Sequence, residues 1–164
     1  MYTFSKSERL CNKTSIQNLF LNGQSISEDF IRLVYSKSNQ TQEYLKSQIV
    51  VPKKNISGAV DRNHIKRQIK EAIRKNKFVL IDFFKEKKIY MNCAVIYQSN
   101  KKFPSYIIEE KIIVLFKRLI SKLWKIFFLW FFFQLYTYIK IWFRRLYPHA
   151  VVIHLHVHSI LKNQ

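Results

Sequence analysis

Residues 61–77 carry the clearest helical pattern in this chain, and that pattern constrains the fold more than any other feature. The apolar positions of this segment recur at helical spacing and form one stripe, which consists of Ile65, Ile69, Ala72 and Ile73. A stripe of this kind is stable only when it is buried against another layer of structure. We therefore predict a helix that is fixed against a hydrophobic core.

The opposite face of this predicted helix is basic. Its polar side chains recur every four residues in two neighbouring rows, formed by Arg62, Lys66 and Lys70 and by Asn63 and Arg67. Successive cations in a row are about 6 Å apart, close to the spacing of phosphates along a nucleic-acid strand. Lys53 and Lys54 extend the basic surface beyond the helix. Charge alone fits a solvated helix face equally well, so this pattern favours a polyanionic partner without deciding for it.

The charge of the whole chain is unbalanced and unevenly distributed. Lys and Arg number 29 against 10 Asp and Glu, which gives a formal net charge of +19. Such an excess indicates nucleic acid or an anionic membrane surface as the partner, more than a merely soluble surface. All acidic residues lie between Glu8 and Glu110, whereas residues 123–164 are basic and aromatic. The sequence therefore divides near Lys122 into a globular part and an extension.

The remaining patterns of the globular part predict alternating helices and strands. A short helix is expected at residues 15–22, after Thr14 and before Gly23, and an amphipathic helix at residues 105–119. The β-rich runs are residues 30–36, 47–52 and 89–97. The order α-β-β-α-β-α predicts an α+β fold, an α/β sandwich in which helices cover a sheet.

No catalytic or metal-binding residue is predicted in the protein. Cys11 and Cys93 show no spacing typical of a disulfide framework or a metal site. The acidic pairs at residues 28–29 and 109–110 have no histidine or third carboxylate nearby, whereas a two-metal nuclease needs several convergent carboxylates. The N-terminal residues lack the apolar stretch of a signal peptide, so we expect a cytoplasmic protein.

One long motif resembles the signature of the bacterial ribonuclease P protein family. The matching residues stand at fixed spacing and are Lys53, Lys54, Gly58, Ala59, Val60, Arg62, Asn63, Lys66 and Arg67. The surrounding order agrees, with Arg9-Leu10, then Ile16, Phe20 and Gly23, then a strand that ends in Tyr35. The resemblance covers about residues 1–122. Two positions depart from it, because the family often has Arg in place of Lys70 and an aromatic residue in place of Ile16.

The resemblance implies a fold and a division of labour. The fold would resemble a domain of a ribosomal protein, with a left-handed βαβ crossover. The catalytic RNA of ribonuclease P would be bound by Lys53, Lys54, Arg62, Asn63, Lys66, Arg67 and Lys70. A cleft containing Ile16, Phe20 and Tyr35 would hold the single-stranded 5′ leader of precursor tRNA, because flat rings stack on unpaired bases. The RNA would hold the Mg²⁺ ions and cleave the leader, and no protein partner is implied.

Two alternative functions remain open at this point. The first is a membrane-surface protein whose basic domain binds anionic lipid and whose apolar extension inserts. Attraction to lipid requires charge but not the motif around Gly58, so the motif disfavours this alternative. The second is a general RNA-binding module without a role in tRNA processing, which only the resemblance disfavours.

The extension divides into two predicted parts. Residues 123–147 are expected to form an aromatic amphipathic or membrane-interfacial helix, because their uninterrupted apolar run, residues 126–139, is shorter than the roughly 20 residues of a bilayer span. Packing of this helix on the globular part is the alternative. Residues 148–164 are expected to be irregular, and their alternating His154, His156 and His158 are not expected to hold a metal.

A second resemblance concerns residues 131–148, FFFQLYTYIKIWFRRLYP. They are similar to the start of the YidD family of membrane-protein insertion factors, in which a Tyr-Pro-Thr-Cys-Ser motif usually follows. Here Tyr147-Pro148 is followed by HAVVIHLHVHS instead. We hypothesise that a neighbouring reading frame is joined to the first and shifted after Pro148. The hypothesis fails if no one-base change at the locus restores a cysteine-containing frame.

Overall fold

The computed structural model describes residues 5–39 and 41–146, and within them three helices and four strands occur. In chain order these are α1 Lys13–Asn22, β1 Gln24–Glu28, β2 Ile31–Lys37, β3 Leu45–Val50, α2 Ala59–Glu86, β4 Met91–Tyr97 and α3 Ser105–Leu146. The predicted α+β class is confirmed. Strand β1 was not predicted, and both long helices extend beyond their predicted ends.

The strands form one sheet in the order β1-β2-β4-β3. Neighbouring strands are antiparallel except β3 and β4, which are parallel and are joined through α2. This pair is the βαβ unit expected from the resemblance, and its left-handed sense stays a prediction. Residues 8–10, which we call the edge segment, lie along the outer edge of β3. There the Leu10 N–H donates to the Ser47 carbonyl at 3.1 Å, and the Ser47 N–H donates to the Glu8 carbonyl at 2.8 Å.

One face of the sheet, which we call the covered face, is buried along the central strands β2 and β4. Side chains alternate between faces along a strand, so β2 places Leu33 and Tyr35 on this face and Val34 on the other. The matching side chains of β4 are Met91, Cys93, Val95 and Tyr97, and all are buried. They are covered by the apolar residues of α2 and of the first part of α3, which include Ile65, Ile69, Ala72, Ile73, Ile108, Ile112 and Leu115.

The other face, which we call the open face, carries α1 and is only partly covered. Its small buried cluster consists of Leu10, Leu19, Val34 and Ala94. Ile16 and Ile96 pack against this cluster and remain partly exposed. The β3 side chains on this face, those of Lys46, Gln48 and Val50, are also partly exposed. The open face is therefore the surface of the sheet that a ligand can reach.

Local interactions at both ends fix α1 on the open face. The helix begins at Lys13, because the Asn12 side chain accepts hydrogen bonds from the backbone N–H groups of Thr14 and Ser15, at 2.9 and 3.3 Å. It ends at Gly23, as predicted, whose N–H donates to the Leu19 carbonyl at 3.0 Å. A Cβ at Gly23 would lie 2.1 Å from that carbonyl oxygen, so only glycine permits this close approach.

The chain divides into two compact units between Ser121 and Lys122. The described part of the second unit is helical as far as Leu146, and several of its large apolar side chains are exposed: Trp124, Phe128, Phe132, Phe133, Leu135 and Tyr136. No helix within residues 5–39 and 41–146 is long and apolar enough to cross a membrane. The predictions for residues 148–164, including those for His154, His156 and His158, lie outside the described residues.

Candidate nucleic-acid interface

The basic face of α2 is exposed along its first turns. Asn63, Lys66 and Arg67 are exposed and Lys70 is half-buried, while the apolar stripe on the other side of the helix is completely buried. Because that stripe fixes the rotation of the helix about its axis, the four polar side chains are presented together on the outer side. The predicted arrangement of the helix and its basic rows is confirmed by this geometry; the role of the residues in binding RNA is not tested by it.

Arg62 has a structural task in addition to its charge. Its Nη1 atom donates hydrogen bonds to the carbonyl oxygens of Ile56 and Ser57, at 3.1 and 2.6 Å. These bonds hold the loop that precedes α2 against the first turn of the helix. Arg62 therefore lies at the junction of loop and helix, and part of its hydrogen-bonding capacity is used within the protein.

The loop between β3 and α2 presents Lys53 and Lys54 to solvent. Its conformation is fixed by the buried side chain of Ile56 and by the Asn55 amide, which donates to the Tyr97 carbonyl at 3.1 Å. The two lysines therefore occupy a defined position next to the start of α2, where the Arg62 bonds hold the loop. They do not, however, line the groove described next.

A groove of about 500 Å³ lies between the basic face of α2 and the edge of β3. It is lined by Arg9, Leu10, Cys11, Ser47, Gln48, Ile49, Asn63, Lys66, Arg67 and Lys70. Four of the predicted RNA-binding residues are thus brought together with the edge segment. Arg9 and Cys11 were missed as site residues, because their proximity to α2 depends on the pairing of the edge segment with β3. The only signal in the sequence was the Arg9-Leu10 pair of the family resemblance.

The carboxylates near α2 are paired with cations outside the groove. Glu71 contacts Arg74 at 2.6 Å, and the hydrogen bond from this guanidinium lowers the pKa of the Glu71 carboxyl group below its ordinary value. Asp61 contacts Lys102 at 2.7 Å. Among the ion pairs of the described residues, none involves Arg9, Lys66 or Arg67. The charge of these three groove cations is therefore available to a polyanion.

The predicted leader-binding residues of α1 lie above the open face. Ile16 and Phe20 are one helical turn apart, and the Phe20 side chain is 45% exposed. Ile16 and the sheet residue Ile96 pack against the same buried cluster and remain partly exposed. An exposed ring beside an accessible sheet surface is the arrangement that unpaired bases stack on.

Tyr35 is not brought together with these α1 residues. It is only 3% exposed and lies on the covered face, where its hydroxyl donates to Gln24 Oε1 at 2.9 Å. Val34, the preceding residue, occupies the position on the open face next to α1. A shift of one residue along a strand changes the face, and the apolar run of β2 did not indicate which residues face α1.

Two buried amide oxygens of the open face lack a hydrogen-bond partner in the described part of the chain. They are Gln48 Oε1 and Asn92 Oδ1, on neighbouring strands of the sheet. Asn92 is 7% exposed. A buried acceptor without a partner costs free energy, and both oxygens are shielded from solvent, so they lie beneath the surface that a ligand contacts.

Within the described residues, no group of three or more His, Cys, Asp or Glu side chains is placed to hold a metal ion. The donor set at the groove is cationic and does not fit a divalent metal, which prefers carboxylate and carbonyl oxygens. Burial raises the pKa of the Cys93 thiol to about 12, so this cysteine stays protonated inside the covered face.

Comparison with known proteins identifies the family. The family Ribonuclease P matches residues 4–119. A ribonuclease P protein component of Porphyromonas gingivalis is 35% identical over 101 residues, which cover 61% of this chain and 74% of that protein. One of Chlorobium phaeobacteroides is 32% identical over 111 residues, with coverages of 62% and 76%.

Solved structures agree in fold. The RNase P protein of Thermotoga maritima superposes with a TM-score of 0.55 at 24% identity, over 67% of this chain and 96% of that one. The RNase P protein of Staphylococcus aureus gives 0.51 at 24% identity, over 70% and 96%. The family match ends at residue 119, so the YidD resemblance of residues 131–148 has no support from it. Because the family match covers most of its length, the chain belongs to the ribonuclease P protein family.

Proposed function

We propose that this chain acts as the protein subunit of ribonuclease P and binds the catalytic RNA through α2 and the groove beside it. Family membership carries the role in maturation of the tRNA 5′ end. The single observation that supports the RNA surface is the groove, because it gathers Arg9, Lys66, Arg67 and Lys70 on one side of the protein. Several cations on a rigid helix neutralise successive phosphates and release their counterions, which makes binding favourable.

The second part of the proposal assigns the 5′ leader of precursor tRNA to the open face. Phe20 would stack on an unpaired base, with Ile16 and Ile96 as apolar neighbours. Tyr35 is not included, because it is buried on the other face.

The cleavage chemistry is assigned to the RNA subunit together with Mg²⁺. This ion would polarise the scissile phosphate and activate water when it is bound by the RNA. The protein side chains at the groove contribute positive charge that lowers the repulsion between the two RNA molecules. The open face positions the leader of the precursor, so the protein raises substrate affinity at low Mg²⁺. The expected place of action is the cytoplasm.

Reconstitution of the holoenzyme tests this proposal. The full chain is combined with a bacterial ribonuclease P RNA, and cleavage of a precursor tRNA is measured at low Mg²⁺, where the RNA alone is expected to be slow. We expect the protein to restore cleavage at the mature 5′ end. If the protein binds the RNA but leaves cleavage unchanged, the role in tRNA processing is refuted and a general RNA-binding module remains.

A matched pair of variants locates the RNA surface. Lys66→Ala removes a groove cation, whereas Lys85→Ala removes an exposed cation from the last turn of the same helix. Both variants lower the net charge by one. We expect only Lys66→Ala to weaken binding to the catalytic RNA, measured by filter binding at several salt concentrations. Equal losses would mean that net charge, and not the groove, determines the affinity.

A further inference from the structure

The edge of β3 is only partly occupied by the edge segment. Ser47 exchanges two hydrogen bonds with this segment, through its N–H to Glu8 and its carbonyl to Leu10. Backbone groups on one side of a strand recur every second residue, so the N–H and carbonyl of Ile49 point in the same direction. The next bond of this ladder, from the Ile49 N–H to the Leu10 carbonyl, is absent from the backbone bonds of the described residues.

These two backbone groups face the groove. Ile49 lines it, and the chain turns away from β3 at Cys11, where α1 is about to begin. The groove therefore contains one donor and one acceptor that are close together and held rigidly by the pairing of β3 with β4. Because β3 ends at Val50, Ile49 supplies the last such pair within the strand. One pair is too short an edge for a peptide strand to extend the sheet.

The wall opposite this edge is basic. Asn63, Lys66 and Arg67 project from α2, and Arg9 projects from the edge segment. The volume of about 500 Å³ lies in the range of pockets that hold one small ligand. The groove thus combines a donor–acceptor pair on one side with phosphate-binding cations on the other, and both features occur together in the recognition of nucleotides.

We propose that the groove between β3 and α2 holds one unpaired nucleotide of the bound RNA, with its base hydrogen-bonded to the Ile49 backbone and its phosphate beside Lys66 and Arg67. Every base presents an adjacent donor and acceptor on its Watson–Crick edge, so all four bases can form this pair. The inference rests on the proposed function in assigning RNA to this side of the protein. It adds that a splayed-out base, and not only the phosphate backbone, is recognised there.

Cys11 supplies a direct test in the unmodified full chain. This cysteine is exposed and lines the groove, whereas Cys93 is buried, so an alkylating reagent reacts selectively with Cys11. The rate of Cys11 alkylation is measured by mass spectrometry with adenosine monophosphate, with cytidine monophosphate and with ribose 5-phosphate. We expect both nucleotides to slow the reaction severalfold more than ribose 5-phosphate, because only they carry a base.

Two other outcomes of this measurement overturn the inference. Equal slowing by nucleotides and ribose 5-phosphate would mean that the groove binds phosphate alone. Stronger protection by a short acidic peptide than by any nucleotide would identify a protein strand as the occupant. Both comparisons use the wild-type chain, so they hold even where a variant does not fold.

A variant of Ile49 separates the base contact from the phosphate contact. Ile49→Pro removes the N–H that faces the groove, and proline is tolerated there because this N–H does not take part in the β3–β4 ladder. Ile49→Val keeps the N–H and serves as the control. In Ile49→Pro, we expect nucleotides to protect Cys11 from alkylation no better than ribose 5-phosphate does. The protection by ribose 5-phosphate itself should be retained. Unchanged protection by nucleotides in a folded Ile49→Pro protein would refute the base contact.

The reconstitution assay distinguishes this inference from the proposed function. If the wild-type chain stimulates cleavage but nucleotides protect Cys11 no better than ribose 5-phosphate, only the nucleotide site is refuted. If nucleotides protect Cys11 and cleavage is not stimulated, the nucleotide site stands and the role in tRNA processing is refuted.

Discussion

The two faces of the sheet use similar strands for different purposes. On the covered face, the side chains of β2 and β4 are completely enclosed by α2 and α3. On the open face, ten residues of α1 cover only part of the same strands and leave Ile96 accessible. Apolar burial is the main source of folding free energy, so the covered face supplies most of the stability. The open face is left incomplete, so the partly exposed side chains of Ile16 and Ile96 remain accessible to a ligand.

The largest expected effect comes from the covered face. Ile69→Ala removes a completely buried side chain from α2 and leaves a cavity, which should lower the free energy of unfolding by about 2–5 kcal/mol. Ile96→Ala, at a partly exposed position of the open face, is the control and should lower the free energy of unfolding much less. Urea denaturation measures both values. Equal losses would show that the two faces contribute equally to stability, which contradicts the comparison.

An intermediate effect is expected where α1 meets the sheet. Gly23→Ala places a methyl group 2.1 Å from the Leu19 carbonyl oxygen and 2.9 Å from Val34 Cγ1, so the end of α1 must move. We expect a loss of about 1–3 kcal/mol in the free energy of unfolding. At Gly58 the nearest atom is the flexible Asp61 carboxylate at 3.1 Å, so Gly58→Ala should cost less. Thermal unfolding of the two variants should therefore differ, and a Gly58→Ala protein that is the less stable of the two would contradict this explanation.

A third prediction separates ligand binding from stability on the open face. Phe20→Ala should leave the free energy of unfolding nearly unchanged, because the ring is 45% exposed. It should weaken the binding of precursor tRNA by about 1–3 kcal/mol, which is the contribution of one stacked base. The binding of mature tRNA should be unaffected. The neighbouring Leu21→Ala removes a side chain that is 80% exposed and is the control. Equal losses of affinity for precursor and mature tRNA would show that the leader does not bind to the open face.

The smallest effect concerns the loop outside the groove. Lys54→Ala should reduce the slope of log K against log salt for the catalytic RNA by about one unit, because one phosphate contact is lost. The affinity should change little near about 1 M salt and fall about tenfold at about 0.1 M salt. Lys85→Ala, at the other end of α2, should not alter the slope. A slope that is identical in both variants and the wild type would confine the RNA surface to the groove.

The sequence predicted the covered face well because burial leaves a periodic pattern. The stripe from Ile65 to Ile73 identified α2 and its orientation, and with it the basic face. The helix nevertheless extends to Glu86, since Leu80 and Phe84 continue the same buried side. Lys77 interrupts the apolar pattern in the sequence, because a charged residue occupies this buried position and forms an ion pair with Glu8. A partner so distant along the chain cannot be recognised from local spacing.

The open face was less predictable for a related reason. Strand β1 has a single apolar residue, Ile26, and belongs to an edge, so its alternation is too short to detect. In β2, the successive residues Leu33, Val34 and Tyr35 are all apolar or aromatic. The sequence therefore does not indicate on which face of the sheet each side chain lies. The groove depends on the pairing of residues 8–10 with β3, a contact between distant segments that no local motif encodes.

The strand order has a consequence for synthesis on the ribosome. The central strand β4 lies between β2 and β3 but is made after both, separated from β3 by the whole of α2. Until Tyr97 has left the exit tunnel, β2 and β3 each expose a side that has no neighbour. Unpaired strands of this kind invite association with other chains. The chain is therefore expected to be most prone to association while α2 is being made, and the sheet can be completed only after β4 is available.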